Sequence, residues 1–141
     1  MGLTLAGCNK EDMEQENDDV KIQNYLEENN ITADKHESGL YYNIQNSGDS
    51  SRPNVESTVE VRYKGTLLDG TVFDQTQGNS TVSFPLNRLI PAWQIGIPLI
   101  GKGGSITLYC PSDLGYGSNR VGSIPANSVL IFEIDLVSFN D

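Results

Sequence analysis

Val61-Arg62-Tyr63-Lys64-Gly65-Thr66-Leu67-Leu68-Asp69-Gly70-Thr71-Val72-Phe73-Asp74 is the stretch that decides the fold. Its first part alternates, with Val61 and Tyr63 facing one way and Arg62 and Lys64 the other, which is the period of a half-buried antiparallel strand. Asp69-Gly70 then marks a tight turn, because its second residue readily takes positive φ. Phe84, Ile90, Trp93 and the loop Asp113-Leu114-Gly115-Tyr116-Gly117 follow at workable spacing. Together these segments supply an aromatic pocket poor in nucleophiles, bases and metal ligands. Such a site implies either simple binding or a reaction that needs no proton transfer and no covalent intermediate.

Working outward, the two-residue period recurs at Leu40, Tyr42 and Ile44, at Val59, and at Ile106, Leu108 and Cys110. The last run sets Leu130, Phe132, Ile134 and Leu136 against Ile131, Glu133, Asp135 and Val137, and a further strand is expected over Thr81 to Phe84. Pro91 suits the first turn of a helix, Trp93 and Ile97 follow four apart, and Pro98 stops extension. Ile22, Tyr25 and Leu26 recur at helical spacing, which predicts a short helix over 20–29, capped by Asp18 or Asp19 and ended at Asn29-Asn30. The segment 111–127, rich in Gly, Ser, Asn and Pro, is too long for a hairpin and reads as a binding loop. The fold class is therefore α+β, an antiparallel sheet covered on one face by one short helix.

Composition narrows the function. With 141 residues and 37% hydrophobic content the chain can bury one modest core. The net charge is -10, and residues 1–40 hold ten acids against three lysines, so the front reads as an acidic tether and the remainder as nearly balanced. No basic cluster exists to attract a phosphate backbone, so nucleic acid is excluded as the main partner. Two cysteines without a CxxC pattern, and one histidine in a polar linker, make a metal site unexpected, and no cofactor is implied. Gly96-Ile97-Pro98-Leu99-Ile100-Gly101-Lys102-Gly103 nearly matches a P-loop. However, Gly103 stands where Ser or Thr should hold magnesium, Pro98 removes an amide, and a strand follows instead of a helix. His36 lacks a convergent Ser and Asp for a triad, and Asp69 is better used in its turn than paired with Asp74 for glycoside chemistry.

Tyr63, Phe73, Phe84, Trp93, Tyr116 and Phe132 carry the argument. Any one of these rings alone is more readily ordinary core; their order and spacing change that. From about residue 57 to 139 the chain resembles the FKBP family of peptidyl-prolyl cis-trans isomerases. The matching pieces are Val61-Arg62-Tyr63-Lys64-Gly65, Asp69-Gly70-Thr71-Val72-Phe73-Asp74, Phe84-Pro85-Leu86, Leu89-Ile90-Pro91-Ala92-Trp93, Leu114-Gly115-Tyr116-Gly117, Ile124-Pro125 and Leu130-Ile131-Phe132-Glu133. The resemblance implies a bent antiparallel sheet wrapped over a short helix, and rotation about X-Pro bonds of proline-containing polypeptides. It implies catalytic roles for Tyr63, Phe73, Asp74, Tyr116 and Phe132, and substrate contacts from Phe84, Leu89, Ile90, Trp93 and Ile124. By the same resemblance Trp93 is the pocket floor, and the Tyr116 hydroxyl and Ile90 amide donate to ligand carbonyls. Two departures stand out: Val82 replaces an expected ring and Ser123 an aliphatic rim residue, which implies a wider pocket and weakened affinity for macrolide inhibitors. A non-catalytic module that holds proline segments in the same pocket is the alternative, and a purely structural protein with a filled cleft is a third.

Leu5-Ala6-Gly7-Cys8 resembles the lipobox of bacterial lipoproteins, whose cysteine is lipidated. Only seven residues, without Lys or Arg, precede Cys8, fewer than a complete signal peptide. The organisation read from the sequence is a residual signal and lipobox at 1–8, an acidic spacer with a short helix at 9–39, and an FKBP-like domain at 40–141. The implied location is the bacterial cell envelope, with a lipid anchor on Cys8. Cys110 is then unpaired, a small and partly buried apolar residue on a strand.

Overall fold

The computed structural model describes residues 17–140. Seven strands form one antiparallel sheet: β1 (Asp34–Lys35), β2 (Tyr41–Asn46), β3 (Thr58–Leu67), β4 (Val72–Gln75), β5 (Val82–Pro85), β6 (Ser105–Cys110) and β7 (Leu130–Asn140). The order is β1-β2-β6-β7-β3-β4, and β5 also pairs with β3. Thus β4 takes Lys64 to Thr66 and β5 takes Thr58 to Val61, while β7 runs along the other side of all ten β3 residues. Register shifts at Glu60/Val61, Gly65/Thr66 and Ile44/Asn46 bend the sheet, as inserted residues in antiparallel pairs do.

The bent sheet closes over α2 (Pro91–Gly96), which begins with Pro91 at its first turn and continues into a 3₁₀ turn, Ile97–Leu99. Ala92, Trp93, Gly96 and Ile97 form its buried face and meet Val59, Val61, Ile106, Leu108, Phe132, Ile134 and Leu136 in the main core. Gly96 allows this approach: a Cβ there would lie 2.5 Å from a Leu108 methyl. The architecture is the α+β fold expected from periodicity and from the family resemblance.

The opposite face of the sheet is also covered. α1 (Asp18–Glu28) buries Ile22 and Leu26 against Tyr41, Tyr109, Val129 and Ile131. Because both faces are covered here, Leu130, Ile131 and Phe132 are all buried, and the in-out alternation expected at this end of β7 is lost. The helix cap differs from expectation: Asn17, one residue ahead of the two aspartates, accepts from the Val20 amide at 2.9 Å. Asp18 instead reaches across the fold to accept from the Ser112 amide at 2.6 Å, and Asp19 accepts from the Tyr41 hydroxyl at 2.8 Å. The acidic first turn therefore fastens the helix to the sheet and to the loop after β6.

Cys110 is fully buried, where partial burial was expected, and burial pushes its thiol well above the ordinary value. Within the P-loop-like stretch Gly101 serves close backbone packing: a Cβ there would lie 2.0 Å from the Asp49 carbonyl oxygen, and one on the facing Gly48 would lie 2.4 Å from the Gly101 carbonyl oxygen. Among the described residues no helix is long and apolar enough to cross a membrane. Cys8 and the lipobox lie outside the described residues.

Candidate active site in an aromatic cavity

Where the bent sheet leaves the end of α2 uncovered, a cavity of about 370 Å³ opens to solvent. This lies at the small end of ordinary ligand pockets, roughly 300–1,000 Å³. Trp93, 4% exposed, stands at its base with three rings edge-on around it: Tyr63 at 5.1 Å, Phe132 at 5.3 Å and Phe84 at 6.2 Å between centroids. Phe73 extends the wall through a perpendicular contact with Phe132 at 5.5 Å. Edge-to-face packing of this kind is favourable for the rings' quadrupoles and makes a rigid apolar hollow.

Local sequence explains the placement. β4 is delivered by the Asp69-Gly70 turn, in which Asp69 accepts from the Thr71 amide at 2.9 Å and Gly70 takes φ +92°. In register, Gly65 faces Asp74 on one side and Phe132 on the other. A Cβ on Gly65 would lie 2.6 Å from Phe73 Cζ and 3.0 Å from Phe132 Cε1, so the bare backbone of β3 is what lets the two rings meet. Pro91 starts α2 and leaves Ile90 extended ahead of it, with a main-chain N–H that has no internal acceptor among the described residues. The long loop carries Tyr116 and a tight turn in which Val121 and Ile124 exchange both backbone hydrogen bonds.

The polar groups are few. The Tyr63 hydroxyl donates to Asp74 Oδ2 at 2.5 Å. Burial, and then this bond to Asp74, raise the Tyr63 phenol above its ordinary range. Burial and the nearby Asp74 charge raise Tyr116 as well, and its hydroxyl has no hydrogen-bond partner among the described residues. Both phenols therefore remain donors at neutral pH. The Trp93 indole N–H is buried without an acceptor.

Comparison with known proteins gives the decisive observation. The family described as FKBP-type peptidyl-prolyl cis-trans isomerase matches residues 49–137. The chain belongs to that family. It is 42% identical over 103 residues to the FKBP-type peptidyl-prolyl cis-trans isomerase FkpA of Aeromonas hydrophila, covering 72% of this chain and 38% of that protein. It is 41% identical over 103 residues to the outer membrane protein MIP of Legionella longbeachae, covering 72% and 44%. The chain thus spans less than half the length of these relatives. Its fold superposes on the crystal structure of FkpA from Escherichia coli with a TM-score of 0.80 at 34% identity, over 96% of this chain and 64% of that one. On the crystal structure of AtFKBP13 the TM-score is 0.70 at 27% identity, over 77% and 98%.

Within this family fold, Tyr63, Phe73, Asp74, Phe84, Leu89, Ile90, Trp93, Tyr116, Ile124 and Phe132 all line the one cavity. Ile124, expected among the substrate contacts, is only 6% exposed. Ser123 lines the cavity, whereas Val82 packs against the main core behind it. Arg88, Val121 and Gly122 also line the cavity and were not foreseen. Arg88 ends the 3₁₀ turn Leu86–Arg88, and nothing in its local pattern distinguishes it from a solvated surface arginine.

Proposed function

We propose that this chain is a peptidyl-prolyl cis-trans isomerase that binds X-Pro segments of unfolded polypeptides in the aromatic cavity and speeds their rotation. The observation that carries the reading is an open hollow walled by Tyr63, Phe73, Trp93 and Phe132, in a chain of the FKBP family. A planar amide resists rotation by about 18–20 kcal/mol because it keeps partial C–N double-bond character. At the twisted midpoint resonance is lost and the bond becomes less polar. An aromatic, water-poor cavity accommodates that state better than the planar amide, so burial favours the transition state.

The prolyl ring sits on Trp93. The Tyr116 hydroxyl and the Ile90 amide, both without internal acceptors, fix the flanking carbonyls. Tyr63 holds the Asp74 carboxylate beside the bound amide. Lowering the barrier by about 4 kcal/mol gives roughly thousandfold acceleration. Ser123 makes the rim less apolar, so bulky macrolide inhibitors bind with reduced affinity. The Leu5-Ala6-Gly7-Cys8 motif, together with a relative named as an outer membrane protein, supports a role in folding envelope proteins from a lipid anchor on Cys8.

The test is a peptide isomerisation assay on the full chain, paired with peptide affinity. Acceleration that saturates with peptide supports the reading. Binding without acceleration overturns it in favour of the non-catalytic module, and neither binding nor acceleration overturns both.

A further inference from the structure

The chain has four arginines. Arg62 pairs with Asp135 at 3.8 Å, and Arg52 donates to the main-chain carbonyls of Ser47 and Asp49. Of the other two, Arg88 lines the cavity from the turn before α2, and Arg120 immediately precedes the lining residue Val121 in sequence. Both are exposed, and among the described residues neither has a carboxylate partner. The carboxylate that lines the same cavity, Asp74, is engaged by the Tyr63 hydroxyl.

A chain of net charge -10 thus places one of its two uncommitted arginines on the cavity lining and the other next in sequence to a lining residue. Arg88 is two residues from the free Ile90 amide, so a substrate whose carbonyl meets that amide carries its neighbouring side chains past the arginine. A guanidinium offers two parallel donors to a carboxylate, a geometry that an ammonium lacks.

We propose that Arg88 and Arg120 select X-Pro segments bearing Asp or Glu within two or three residues of the proline. This rests on the isomerase reading and names its substrate class. The pairs are solvent-exposed, so the preference is modest, about two- to fivefold in kcat/KM at low ionic strength for each well-placed carboxylate. It fades as salt rises toward a Debye length of roughly 3 Å at 1 M.

The experiment uses the full chain and a peptide set that differs only by Glu, Gln or Lys at each position flanking Ala-Pro. Isomerisation and affinity are measured at low and high salt. The expected result is a Glu-to-Gln ratio above one at one or more positions, falling toward one at high salt and in Arg88→Gln with Arg120→Gln. Lys102→Gln, which removes the same charge from the turn before β6, is the control and keeps the ratio. A wild-type ratio of one or below overturns the inference, as does a ratio unchanged by the double substitution or equally reduced by Lys102→Gln. Should no peptide be accelerated, the isomerase reading fails, and the affinity ratio alone then decides whether the arginines select acidic segments.

Discussion

Gly65→Ala separates the integrity of the pocket from that of the fold. The new Cβ would sit 2.6 and 2.8 Å from Phe73 Cζ and Cε1, and 3.0 Å from Phe132 Cε1. Carbon atoms settle at about 3.5–4.0 Å, so one ring must retreat by roughly 1 Å. Phe132 is backed by Trp93 at 5.3 Å and is 4% exposed, whereas Phe73 is half-buried on the four-residue β4, so Phe73 yields. Overpacking costs about 1–3 kcal/mol. Replacing a strand glycine by alanine returns about 0.5–1 kcal/mol. The net loss of stability is then at most about 2.5 kcal/mol, read by urea unfolding. A misplacement of about 1 Å can lower catalysis by roughly a hundredfold, so kcat/KM on an X-Pro peptide should fall ten- to hundredfold while the protein stays folded. In a Phe73→Ala background the clash with Phe73 disappears and only the 3.0 Å approach to Phe132 remains, so the same glycine substitution should then cost much less, about two- to threefold. Full activity in Gly65→Ala, or an equal loss with and without Phe73, refutes the argument that the glycine exists to seat the ring.

Tyr116→Phe removes one donor to a substrate carbonyl and should lower kcat/KM about three- to tenfold with little change in melting temperature; an unchanged rate shows that the hydroxyl does not touch substrate. Asp18→Ala leaves the Ser112 amide without its acceptor and should cost about 1.5–3 kcal/mol by chemical unfolding, together with some activity, because that loop carries Tyr116; a change below about 0.3 kcal/mol contradicts the tie. Alkaline pH should unfold the protein before it alters the chemistry. Burial raises Cys110 and Tyr63 and pushes Tyr109 up to about 12, while the unfolded groups titrate near their ordinary values of 9.0 for the thiol and 10.0 for the phenols. The folded state therefore holds more protons, and its stability is complete below about pH 9 and declines as pH rises from there toward 12. Unfolding midpoints from pH 7 to 11 check the sign, and stability rising with pH across that range contradicts it.

Particular residues show what the sequence could convey. Val59, Val61 and Tyr63 alternate because one face of β3 is buried, Asp69-Gly70 closes a local turn, and Pro91 starts a helix. Each of these is a short-range signal, and each is where the pattern put it. The ten foreseen cavity residues were legible because nine are rings or aliphatics in a fixed order across several segments. What stayed hidden depends on partners distant in sequence. Nothing local tells Asp18 that its partner is Ser112, or Ile131 that a helix covers its face. The sharing of one β3 edge by β4 and β5 follows from the sheet's bend, not from either strand's composition. Arg88 was missed because a charged residue in a turn looks the same whether it faces bulk water or a cavity.

The most direct test is exchange NMR on an Ala-Pro peptide with a small fraction of the full chain, compared with the same chain carrying Trp93→Leu. Wild type should speed cis-trans exchange by orders of magnitude, with shifts in the Tyr116 and Trp93 resonances that saturate alongside the rate, and the variant should lose most of that acceleration. Exchange no faster than in buffer at saturating peptide, or acceleration that survives loss of the indole, contradicts the claim that this aromatic hollow turns the prolyl bond.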